Sequence, residues 1–236
     1  MRIRTSLCVA ISSILWVQVT LAQPLEAKIG EVKFSGVPLA DVIAQLQETS
    51  AQNIFVNWKA LEAKHIDRAT PVTVDLHDVT LEQVLGEICT SLDKDKKAGL
   101  TFKDDDGVAC VSTAEDLEKR AKADPLPARG NEAAAQQTDE SLNRMMPEIN
   151  FNQIAVRDAV EFLKDITTIP IEVNWNAVEK AGIKKASPTT IRVKNLSLRR
   201  TLRLLLDDVG GDGEKLDYVI DGDHILISTR EDLLKK

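Results

Sequence analysis

Apolar and polar positions run through this chain in one order, twice. Val32 to Ser35 alternates as a short strand, and Leu39, Val42, Ile43 and Leu46 then fall at helical spacing behind Pro38. Proline suits such a helix start because its missing N–H removes no bond there. Asn53 to Asn57 and Val72 to Leu76 predict strands, and Lys59 to Lys64 a short helix between them. Thr80 with Gln83 forms a capping box ahead of a broad apolar stripe, Leu81, Val84, Leu85, Ile88, Cys89 and Leu92. A hairpin closes the unit, Leu100 to Lys103 and Val108 to Ser112 around Asp106-Gly107.

An offset of 117 residues repeats the whole order, laying Phe34 on Phe151, Trp58 on Trp175, Pro71 on Pro188 and Leu81 on Leu198. One deletion near Gly210 makes the offset 116, so that Val111 to Leu117 meets Ile227 to Leu233. The second stripe is Leu198, Thr201, Leu202, Leu205, Leu206 and Val209. The fold class predicted is therefore α/β (α+β), two tandem small domains at 29–120 and 148–236. Each should pack two main helices against short mixed β-sheets, and copies of this size can bury independent cores. Residues 121–147 lose the pattern. With Pro125, Pro127, Gly130 and an Ala-Gln tract they predict a flexible or partly helical linker that lets the domains move independently.

The first residues read as an export signal. Arg2 and Arg4 form a basic start, Leu7 to Leu21 an apolar run, and cleavage is expected after Ala22, giving a signal peptide at 1–22. Polar residues inside the run and its short length argue against a retained anchor, so the mature chain is not expected to be an integral membrane protein. Formal charge moves from -7 to -9 on losing Arg2 and Arg4, which excludes general nucleic-acid binding. The acid is unevenly shared, with 10 basic and 17 acidic residues in 29–120 against 14 and 15 in 148–236.

Each copy serves as a control for chemistry proposed in the other. His65, His77 and His224 are far apart in sequence, none has metal-ligand spacing, and each is replaced in the other copy, so no catalytic residue, cofactor or metal is expected. Asp104-Asp105-Asp106-Gly107 lacks the alternating ligands of a calcium loop and reads as a turn. Gly210-Gly211-Asp212-Gly213 has the spacing of an RNA clamp, but Asp207, Asp208 and Glu214 would repel phosphate. Cys89 and Cys110 have Leu206 and Leu226 as their counterparts in the other copy, which places both positions toward the core and is compatible with two buried thiols or with a helix-to-strand disulfide. Trp58 and Trp175 both follow Val-Asn and are expected to pack the short helix. One charged set is peculiar to the second copy. Arg192, Lys194, Arg199, Arg200 and Arg203 stand where the first has Asp75, His77, Glu82, Gln83 and Gly86, making them candidates for docking an acidic partner.

The segments Phe34 to Ile43 and Phe151 to Val160, followed by Ile54 to Val56 or Ile171 to Val173 and by Val72 to Leu81 or Ile191 to Leu198, resemble the secretin and TonB short N-terminal (STN) domain family. The match covers both copies, and Lys59 to Arg68 is a longer connection than that family uses. The resemblance implies a periplasmic, outer-membrane-associated setting and a protein partner in the cell envelope. No pore, plug or barrel follows in this sequence, so neither transport nor channel formation is expected to carry over. The function expected is a non-enzymatic interaction module or adapter for secretion, uptake or signalling. The alternative is an envelope ligand-binding protein or enzyme with its site between the copies, disfavoured because a mobile linker would not hold a shared cleft.

Overall fold

The computed structural model describes residues 25, 26, 28–122, 125–211 and 215–235. The expected signal at 1–22, and Asp212 to Glu214 of the glycine-rich segment, lie outside the described residues. The first repeat runs β1 (Lys28–Pro38), α1 (Leu39–Ser50), β2 (Asn53–Val56), α2 (Trp58–Glu62), β3 (Pro71–Thr80), α3 (Leu81–Leu92), β4 (Leu100–Asp105), β5 (Val108–Thr113) and α4 (Ala114–Lys122). After α5 (Glu132–Leu142), the second runs β6 (Met145–Ala155), α6 (Val156–Thr167), β7 (Ile171–Val173), α7 (Trp175–Lys180), β8 (Pro188–Ser197), α8 (Leu198–Gly210), β9 (Leu216–Asp221), β10 (His224–Thr229) and α9 (Arg230–Leu234).

Both repeats have the mixed α/β architecture read from the pattern. An antiparallel pair, β1 with β3 or β6 with β8, is accompanied by a three-stranded mixed sheet, ordered β2-β5-β4 or β7-β10-β9. The Thr80–Gln83 capping box forms as expected, with both reciprocal bonds present. Fine geometry is also duplicated. Register shifts follow Phe34 and Phe151, each with a left-handed residue, Gly36 or Gln153, whose N–H donates to Thr73 or Thr190.

A polar clasp recurs as well, buried in the first repeat and part-buried in the second. Asn57 and Asn174 accept from the first turns of α2 and α7 and donate to Asp116 and Asp232, which also accept from Ser112 and Ser228. This satisfies polar groups that would be costly to bury alone. It ties each short helix to the helix that follows the hairpin.

The repeats do not stand apart on a linker but pack against one another. One apolar cluster is confined to the first repeat. The other contains the second repeat's core together with Phe55, Val108, Cys110 and Leu117 of the first, and Ala135 and Leu142 of α5. The cause is alternation along β5, every residue of which is buried. Ala109 and Val111 face the first core, whereas Val108 and Cys110 point across the sheet into the second cluster. The segment expected as a linker is held too: Arg129 pairs with the end of β9, and Thr138 donates to the Gly222 carbonyl. Gly130 permits this approach, because a Cβ there would lie 2.9 Å from Asp221 Oδ1 and 3.0 Å from the Gly222 nitrogen.

Candidate functional site

Helix α8 organises the contact between the repeats. Ser197 caps its start, and Leu198, Leu202, Leu205, Leu206 and Val209 fill its own core. Leu204, on another face, is fully buried in the cluster shared with Phe55, Val108 and Cys110. A helix end leaves carbonyls without intrahelical partners. Here the first repeat supplies them: Asn57 Nδ2 donates to the Gly211 carbonyl at 2.7 Å and Lys59 Nζ to that of Val209. The lysine charge also meets the negative end of the helix dipole.

The interface carries a buried ionic bridge. Arg120 of α4 donates Nε to Asp116 at 2.7 Å and Nη1 to Asp207 of α8 at 2.5 Å, and its guanidinium lies 5.3 Å from the Phe55 ring centroid. Burial pushes the Asp207 carboxyl above its ordinary value, opposed by Arg120, Arg203 and Arg200. Burial likewise opposes the charge on Arg120, but Asp207 and Asp116 outweigh it and the guanidinium is held more firmly charged than usual. At the other side, the Asn53 carboxamide clamps β8, accepting from the Lys194 N–H at 2.8 Å and donating to its carbonyl at 2.9 Å.

The members of the cationic set each have a carboxylate of the same chain nearby. Arg192 pairs with Glu48 of the first repeat at 3.0 Å, and that bond raises its pKa. Arg200 reaches Asp105 at 2.5 Å, Arg199 reaches Asp139 of α5 at 2.8 Å, and Arg203 reaches Asp217 at 2.9 Å. Among the described residues Lys194 has one carboxylate within ion-pair reach, Glu148 at 3.7 Å. Arg192 and Arg200 thus pair across to the first repeat, Arg199 pairs with the connecting helix, and Arg203 and Lys194 pair within the second repeat.

Four of the five nevertheless converge on a cleft of about 740 Å³ between the repeats. Lys194, Arg199, Arg200 and Arg203 line it with Asp106, Asp139 and Asp217, while Leu126, Met145, Tyr218 and Ile220 contribute apolar surface. Arg192 lies outside it. Burial raises the Tyr218 phenol above its usual pKa, opposed by Arg199, whose Nη1 lies 3.5 Å from the hydroxyl. The connecting segment, through Pro125, Leu126 and Ala128, forms one wall.

The thiols settle on one of the two readings. Cys89 and Cys110 are both free and buried. Cys89 sits in the first core and Cys110 on the far face of β5, and burial pushes their pKa values up to about 12 and about 11. Trp58 packs in the first core beneath Arg68, 4.4 Å from the ring centroid. No histidine lines the cleft. One does meet carboxylates, correcting the reading of the spacing: His77 lies 3.3 Å from Asp75 and 3.9 Å from Glu31, because residues two apart share a strand face and β1 lies alongside β3. Ligand atoms of the three lie within 4.8 Å of one another, but all are exposed and Lys33 holds Asp75 at 2.5 Å.

Sequence reasoning missed Leu204, Asp207, Asn53 and Tyr218. A signal existed for the first two, since Leu204 stands opposite an exposed Glu87 and Asp207 opposite an exposed Thr90. An apolar residue outside the common stripe, present in one copy only, marks a second packed face. Comparison with known proteins found no matching family model, no matching curated protein and no matching solved structure. Among the described residues, no helix is long and apolar enough to cross a membrane.

Proposed function

We propose that the chain is a non-enzymatic periplasmic adapter built from two STN-like repeats, and that it presents the cleft between them to a protein partner of an outer-membrane secretion, uptake or signalling system. The observation that carries this reading is the cleft itself, which needs both repeats and the connecting segment to exist. The shared core supports it, because a recognition site formed by two modules requires them to keep one relative position. The periplasmic setting rests on the export signal read in the sequence.

The test is affinity capture from detergent-solubilised envelope extracts with the mature chain and with Met145→Glu, a change at an exposed residue of the cleft. The expected outcome is a discrete partner held by the parent and lost by the variant, with unchanged melting. A partner retained by both would place recognition elsewhere. A small-molecule site between the copies is the second reading, favoured by the cleft's size, which falls within the range of about 300–1,000 Å³ common for ligand pockets. Native mass spectrometry of protein from its host would then find added mass that Met145→Glu removes.

A further inference from the structure

We infer that the free edge of β9, inside the cleft, is a strand-addition site for an extended, carboxylate-bearing segment of the partner; this rests on the adapter reading and names its chemistry. The backbone directions decide which groups face the cleft. The Ile225 N–H donates to Pro170 and the Ile227 carbonyl accepts from Asn174, so both residues turn toward the β7 side of the sheet. Their partners on β9, Ile220 and Tyr218, therefore turn the other way, to the open edge. Arg129 confirms the direction by donating to the Ile220 carbonyl at 2.7 Å and accepting from Gly222 at 2.9 Å, a single parallel bridge.

Two residues upstream the ladder stops for a chemical reason. Continuing the parallel register would require residue 127 to donate to the Tyr218 carbonyl, and residue 125 to donate one rung further on. Both are proline and have no N–H. Upstream of Arg129 no further backbone bond joins the connecting segment to β9 among the described residues, and Pro125, Leu126 and Ala128 line the cleft together with Tyr218 and Ile220. Asp217 takes the Tyr218 N–H at 2.8 Å. The Tyr218 carbonyl and the Ile220 N–H have no partner among the described residues, and together they form one vacant rung of a sheet. Unpaired edge groups are what a peptide strand uses for affinity, while side-chain pockets supply selectivity.

Charge selects the occupant. Four cations and three carboxylates line the cleft. Each arginine has a carboxylate within 2.9 Å, leaving Lys194, whose nearest acid is 3.7 Å away, as the cation available to a new carboxylate. An extended segment with apolar residues toward Met145 and Leu126 and an acidic group toward Lys194 fits this lining.

The test uses a displayed random heptapeptide library selected on the mature chain, with Pro127→Val as the decisive variant. Valine restores an N–H at an exposed position, so the connecting segment itself can fill the rung. Peptides enriched on the parent should carry a carboxylate, slow amide exchange at Ile220, and bind Pro127→Val about tenfold or more weakly, as expected for losing a pair of backbone bonds. Lys194→Ser should erase the preference for acidic peptides. Failure to enrich any peptide, equal binding to Pro127→Val, or unchanged exchange at Ile220 would each overturn the edge site. The adapter reading is judged separately: an envelope partner captured equally by the parent and Pro127→Val but lost by Met145→Glu would keep it while removing the rung.

Discussion

Helices α3 and α8 hold the same place in their own repeats, yet α3 is buried along one stripe and α8 on most of its surface. Glu87 of α3 is exposed where Leu204 of α8 is fully buried. The three-stranded sheets differ in the complementary way. The first presents Phe55, Val108 and Cys110 across its outer face, and the second has Glu172, His224 and Leu226 at those positions. One apolar sheet face thus meets one apolar helix face, while Glu87 and the exposed Glu172 stand on the matching outward faces. The exposed charges of Glu87 and Glu172 distinguish these two faces from the apolar pair that packs together.

The largest effect should come from exchanging the distinguishing pair. Leu204→Glu places the first repeat's residue in the shared core and should cost about 4 kcal/mol in urea denaturation, because an unpaired charge is buried. The reciprocal Glu87→Leu, on a solvated face, should change stability by less than about 0.5 kcal/mol. Equal effects would mean that the two helices are not in different surroundings.

Next comes the ionic bridge. Arg120→Met leaves Asp116 and Asp207 without their shared cation and should cost about 3 kcal/mol near pH 7. Because Asp207 titrates above its unfolded value of 3.8, its protonation favours the folded state, fully so below that value, and the contribution is lost as pH rises through the folded pKa. The deficit of Arg120→Met should therefore narrow on acidification, as a neutral Asp207 no longer needs a counter-ion. A pH-independent deficit would assign the loss to packing over Phe55.

Asn53→Ala removes both bonds of the β8 clamp and should cost about 1–2 kcal/mol, read from the same denaturation curves. Its place in the second copy is Pro170, which has no side chain able to make that clamp. The smallest perturbation is chemical labelling. Cys89 and Cys110 should both resist a thiol reagent in the native protein, as buried thiols with raised pKa values do. In Leu204→Glu, Cys110 should react well before Cys89, because only Cys110 lies between the repeats. Simultaneous labelling would indicate that the repeats unfold together rather than part.

The fold of each repeat was legible in the chain because its determinants are local and duplicated. Helical and strand periodicities, the Thr80 cap and the Asp-Gly turns act within a few residues, and the second copy repeats most of them. The cationic residues were legible as a group for the same reason. Their partners were not: Asp105, Asp139, Glu48 and Asp217 lie between 14 and 144 positions from the arginines they pair with. Proline-rich composition at 125–130 indicated the loss of secondary structure, but not that missing N–H groups would fall opposite the edge of β9. Sequence by itself determined two cores and the identity of the residues that differ between them. Tertiary packing alone decided that β5 is buried on both faces, that the repeats share one cluster, and that a cleft remains between them, because burial and edge pairing depend on which surfaces meet.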